Sequence, residues 1–168
     1  MKAILLALML GLVVLTVPAA AQTNTAIVPG QSIGGIRIGG NVNDAVNELG
    51  TLVDRTDTRG GKHTVYDWPL RPHLVIAEKD TNRVVLILVA FTDVYRTDKG
   101  ITGGSERGAV ESAYGRDFTT DEDDASITLI YDSLGISFEV GKIRSMSGRV
   151  MAIIVYAPGT WKQVTEGL

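Results

Sequence analysis

The octapeptide RVVLILVA at residues 83–90 returns, little altered, as RVMAIIVY at residues 149–156. Each opens on Arg-Val, carries an I-[LI]-V core and is apolar at nearly every position, so neither reads as a strand with one wetted face. A run of this length and β-branched content reads as a strand covered on both sides. Both should therefore lie inside a sheet rather than at an edge.

Similar pairs appear on working outward. HTVYDW (residues 63–68) and HLVIAE (73–78) precede the first octapeptide, and SITLIYD (126–132) and GISFEV (135–140) precede the second. The links KDTN and DSLG have the length and chemistry of hairpin turns, which makes the strands antiparallel meanders. Further upstream stand IGGIRIGGNVNDAVNELG (33–50) and GITGGSERGAVESAYG (100–115). Shifting the chain by about 65 residues lays Gly35 on Gly100, Gly39 on Gly104, Gly50 on Gly115 and Tyr66-Asp67 on Tyr131-Asp132. Fixed-period similarity of this kind points to repeated supersecondary units.

Within each glycine-punctuated stretch, Val42, Ala45, Val46 and Leu49, and likewise Ala109, Val110, Ala113 and Tyr114, are spaced as one face of a short helix. Asn41 and Ser105 are the expected N-caps, and Gly50 and Gly115 the residues that end the helices. Helices of two to three turns are marginal alone, so each must lie on a sheet. The expected fold is α+β, two tandem copies of a short helix plus a three-stranded antiparallel meander, the sheets continuous or packed together. Its parts would be an N-terminal extension at 22–32, repeat one at 33–95, repeat two at 96–157 and a C-terminal tail at 158–168.

A short helix closed by glycine at Leu49-Gly50 and Tyr114-Gly115, followed by a small meander and given twice over residues 30–157, resembles the β-lactamase-inhibitory proteins. Each copy also resembles the small outer-membrane assembly lipoproteins of the BamE/SmpA type. The resemblance implies a role in binding other proteins. The chain departs from both groups in having no cysteine, and hence neither a lipidated Cys nor the inhibitors' disulfides.

The first residues, MKAILLALMLGLVVLTVPAAAQ, carry one charge at Lys2, a long apolar run and Ala19-Ala20-Ala21 before a polar switch. These are the marks of a secretory signal peptide over residues 1–21. Retention as an anchor is the competing reading, since the apolar run is just long enough to span a bilayer. Cleavage implies a secreted or periplasmic protein with no membrane span. With no cysteine, such a chain must be held by its core alone. A net charge of −3 with no clustered basic face excludes an electrostatic nucleic-acid binder.

Candidate chemistry is sparse. The clusters GIRIGG and GITGGS match neither G-x-x-x-x-G-K-[ST] nor G-x-G-x-x-G, and read as turns. His63 and His73 stand outside any nucleophile elbow or triad context, so a hydrolytic enzyme is the least supported reading. The acidic run DFTTDEDD (117–124) offers oxygens for a cation but lacks the glycine and distal Glu of a calcium loop, and reads as a solvated loop. No metal site or cofactor is implied.

The segment YDWPLRPH (66–73) differs from its counterpart by two prolines and a tryptophan. Aromatic and Arg side chains on loops are the usual anchors of protein interfaces. Tyr66, Trp68, Arg71 and His73 are therefore the candidate partner-binding residues of a non-catalytic exported module that binds an exported or envelope protein. The competing reading for Trp68 is that it fills the core. The competing function is a small-ligand or envelope-polymer binder that uses a groove between the copies.

Overall fold

The computed structural model describes residues 24–166, so the expected signal peptide lies outside the described residues. Among them no helix is long and apolar enough to cross a membrane. Twelve strands and three helices are formed: β1 Ala26–Val28, β2 Ser32–Ile33, β3 Ile36–Arg37, α1 Val42–Leu49, β4 Asp54–Asp57, β5 His63–Asp67, β6 His73–Glu78, β7 Val84–Ala90, β8 Arg96–Thr97, α2 Arg107–Tyr114, β9 Thr119–Glu122, β10 Ser126–Tyr131, β11 Ile136–Gly141, β12 Val150–Tyr156 and α3 Trp161–Thr165.

The expectation of two tandem helix-plus-three-strand copies is corrected. The molecule is mostly sheet, with one antiparallel sheet of eight strands in the order β4-β5-β6-β7-β12-β11-β10-β9 and a separate mixed sheet β3-β2-β1-β8. The physical reason lies in the polar stretches. Asp54–Asp57 (DRTD) and Thr119–Glu122 (TTDE) are exposed throughout, which reads as loop, yet each adds an outermost strand whose hydrogen bonds need no apolar side chain. The acidic run at 117–124 is therefore largely an edge strand and not a free loop. Of the stretch expected as an extension, the described residues supply β1, which pairs antiparallel with β2 and parallel with β8.

The seam of the large sheet is β7 on β12, with Leu88 opposite Ile154 and Ile87 opposite Val155. Seven of the apolar octapeptide positions 83–90 fall in β7, and β12 is buried at all but Met151. Residues sheltered on both faces cannot sit at a rim. The first face of the sheet carries the main core, where Trp68, Val75, Ile87, Leu129, Tyr131, Phe138 and Ile153 pack against α1, α2 and Ile27 and Ile33 of the small sheet. The second face carries a smaller cluster of Ile76, Leu86, Ile154 and Tyr156, capped by Val164 and Trp161 of α3.

The helices end as expected and begin with one difference. Gly50 and Gly115 hold φ of 105° and 84°, and their N–H groups donate to Val46 O and Glu111 O at 2.9 Å. Asn41 Oδ1 accepts from Asn43 N at 2.9 Å, the expected cap of α1. The cap residue of α2 is Glu106 and not Ser105, whose Oγ instead accepts from Thr102 N at 3.0 Å in the preceding turn.

Candidate functional site

The four residues singled out by sequence do not form a surface. Trp68 is 1% exposed and His73 3%, and Tyr66 is also buried. Each sits where strand alternation turns its side chain onto the first, covered face of the sheet: Tyr66 lies opposite Val75, and His73 opposite Val89. Trp68 is a core residue with a structural bond, its Nε1 donating to Gly50 O at 2.8 Å. That bond satisfies a carbonyl at the end of α1, which would otherwise be left without a partner. Tyr131 does the same for α2, its Oη donating to Gly115 O at 2.8 Å, while burial pushes its phenol up to about 12. The alignment by 65 residues sets Trp68 against Ser133, and that mismatch is why Trp68 read as an ornament instead of the counterpart of Tyr131.

Of the four, only Arg71 is exposed. It stands on the tight turn Pro69-Leu70-Arg71-Pro72 that Trp68 anchors from below, with Arg71 N donating to Trp68 O at 2.9 Å. The turn is one of several chain reversals at a single end of the large sheet. β5 and β7 run toward this end, β11 arrives there and β12 departs from it. The reversals are tied together by Ala90 N to Pro72 O at 2.9 Å, Phe91 N to Met151 O at 2.7 Å and Gly103 N to Thr92 O at 3.1 Å.

Apolar side chains crowd this end. Leu70 is 80% exposed, Phe91 74%, Leu52 65%, Val94 59% and Ile143 51%, five of the seven large hydrophobics exposed among the described residues. Leu52 precedes β4, Leu70 tops the β5–β6 turn, Phe91 and Val94 follow β7, and Ile143 lies between β11 and β12. The remaining two, Val28 and Leu134, lie at the opposite end, where Gly30 N donates to Gly135 O at 3.1 Å. Phe91 is held at φ 51°, a conformation that costs a bulky side chain on the order of 1–3 kcal/mol. Its N–H bond to Met151 O helps to hold it there, with most of the side chain in solvent.

Beneath the end lies His73. Its ring meets Tyr95 edge-on at 5.0 Å, its Nδ1 has no partner among the described residues, and burial together with the Arg71 charge lowers its pKa to about 4. The same burial raises the Tyr95 phenol. His63 is remote from it, at the other end of β5 and on the other face, opposite Glu78. The two histidines therefore share no site.

Among the described residues no group of three His, Cys, Asp or Glu side chains is placed to hold a metal ion. In the acidic stretch, Asp123 Oδ1 accepts from Ala125 N and Ser126 N, each at 2.7 Å, and Lys142 Nζ reaches Glu122 Oε1 at 2.7 Å. Two of its five carboxylates, those of Asp123 and Glu122, are thus engaged in a turn and an ion pair.

No protein-family model matches the chain, and no curated protein matches its sequence. Solved structures do share its fold. The uncharacterized protein yfeY from Escherichia coli superposes with a TM-score of 0.53 at 13% identity, over 77% of this chain and 98% of that one. A cysteine-rich secretory protein from Staphylococcus aureus superposes with a TM-score of 0.50 at 11% identity, over 77% of this chain and 48% of that one, so the likeness spans about half of the second protein. At these identities the likeness is one of fold.

Proposed function

We propose that the protein is a non-catalytic exported module that binds another protein through the loop end of its large sheet, with Leu70, Arg71, Phe91, Val94 and Ile143 at the contact. The observation that carries the reading is the gathering of five exposed large hydrophobics at that end, with Phe91 held there against its backbone preference. Scattered exposed apolar residues need no explanation, whereas their gathering on the loops at one end of a sheet favours an interaction site. Arg71, which makes no ion pair among the described residues, adds a cationic group beside Leu70. The partner this end fits has an apolar patch with an acidic group at its rim. The signal-like first residues favour export.

The test is capture of a partner from the envelope fraction by the wild type and by the double variant Leu70→Asp, Phe91→Asp. Both positions are exposed, so thermal stability should stay within about 0.5 kcal/mol of the wild type. Binding should fall by roughly 30-fold or more, as for loss of an interface anchor. A folded double variant that retains the same partner equally well overturns the assignment.

A further inference from the structure

A second site lies at the opposite end of the sheet, under α3. The helix is set across the second face of the sheet by two bonds to one residue, Trp161 N to Asp132 Oδ1 at 3.1 Å and Gly159 N to Asp132 O at 2.9 Å. Between it and the starts of β5 and β7 remains a cavity of about 240 Å³. On this face its aliphatic lining is Val85 and Val164, while Val84 and Ile38 border it but pack into the core of the first face. Val85 owes its place there to a β-bulge: Ile76 pairs with Leu86 and Ala77 with Val84, so Val85 is the extra residue. Bulges are a recurrent device for re-aiming a side chain beside a site.

The polar groups of the cavity are His63, Glu78, Arg83, Thr160 and Gln163, and most are already engaged. Glu78 Oε2 accepts from Thr81 Oγ1 at 2.6 Å and Oε1 from Arg83 Nη2 at 3.0 Å, which together hold the carboxyl below its usual range. Thr160 Oγ1 donates to Ala157 O at 2.7 Å. The His63 ring and the Gln163 amide bond to no other group among the described residues, and both stand where the cavity opens into a wider polar groove bordered by Lys62, Asp80 and Glu166. The arrangement is thus an aliphatic pocket with balanced charge, a free amide and a free imidazole at its mouth, and polar space beyond.

We infer that this pocket binds an N-acylated amino sugar, its acyl methyl on Val85 and Val164, its amide paired with Gln163 and a ring hydroxyl with His63. The balanced Glu78–Arg83 pair leaves no unmatched charge to select an ionic ligand. A primary amide matches a secondary amide as both donor and acceptor. The volume suits one sugar unit, and the groove outside gives room for the rest of a polar polymer. The site is separate from the apolar loop end, so either reading stands without the other.

The test is a titration of the isotope-labelled protein with N-acetylglucosamine, glucose and glucosamine, followed by amide chemical shifts. Saturable shifts are expected around residues 63, 85 and 163 with N-acetylglucosamine, and at least about tenfold weaker binding of the other two sugars. Gln163→Ala, at an exposed position, should weaken N-acetylglucosamine by about tenfold and leave glucose unchanged, while His63→Ala should weaken both. The inference is overturned by the absence of saturable shifts, by equal response to all three sugars, by shifts centred elsewhere, or by a folded Gln163→Ala variant that binds as the wild type does.

Discussion

At the scale of single residues, three of the four side chains that resemble a binding motif in YDWPLRPH, Tyr66, Trp68 and His73, are buried, and the fourth, Arg71, meets solvent beside Leu70. Trp68 combines full burial with a bond to Gly50 O, so Trp68→Ala should cost roughly 3–5 kcal/mol in urea unfolding, and Trp68→Phe about 1–3 kcal/mol for the carbonyl left without its donor. Equal stability of Trp68→Phe and wild type would remove the bond from the account. His73 carries the acid response. Its folded pKa of about 4 lies below the ordinary 6.5, so the unfolded chain takes up a proton more readily than the native one. The stabilising difference is complete above pH 6.5 and is lost as pH falls toward 4, on the order of 3 kcal/mol in all. Denaturant titrations at pH 7 and pH 4.5 should show this loss in the wild type and a smaller one in His73→Phe, which removes the titrating ring. Identical pH dependence in the two proteins would mean that His73 is already solvated. Core filling is one of the two readings the sequence leaves open for Trp68, and it cannot be chosen from sequence because burial depends on strand parity, and parity is fixed by which face α1 covers.

At the scale of elements, strands with apolar side chains announce themselves and strands without them do not. The runs that become β5, β6, β7, β10, β11 and β12 stand out by composition, and the glycine stops of α1 and α2 by position. β4 and β9 are invisible because an edge strand is held by backbone bonds to one neighbour, a partnership that DRTD and TTDE do not advertise. β1 and β8 pair in parallel across about 70 residues of chain, and no local pattern encodes that contact. The loop after β7 shows what an element gives up for display. Phe91 adopts the left-handed region with its ring in solvent, so Phe91→Gly should unfold no more readily than the wild type, since glycine takes φ 51° without strain. A loss of more than about 1 kcal/mol in thermal denaturation would mean that the ring packs against something after all. The same variant should weaken partner capture.

At the scale of the molecule, the β7–β12 seam makes one sheet of what the glycine-punctuated sequence presents as two copies. Leu88 and Ile154 meet across it, and rows of side chains continue from one half of the sheet into the other. Far-ultraviolet circular dichroism and tryptophan fluorescence should therefore report one coincident unfolding transition, and two separated transitions would mean that the halves are independent. The sheet also separates its two ends. Five exposed hydrophobics gather at the end reached by β5, β7 and β11, while Val28 and Leu134 lie at the other. Sequence alone could name Leu70 or Phe91 but could not bring them together, because they stand on different reversals. The most direct measurement is site-specific photo-crosslinking in the intact envelope, with the photoreactive residue placed at Phe91 in one protein and at Leu134 in another. The account predicts a discrete protein adduct from position 91 and none from position 134. An adduct from position 134 with none from position 91 would contradict it.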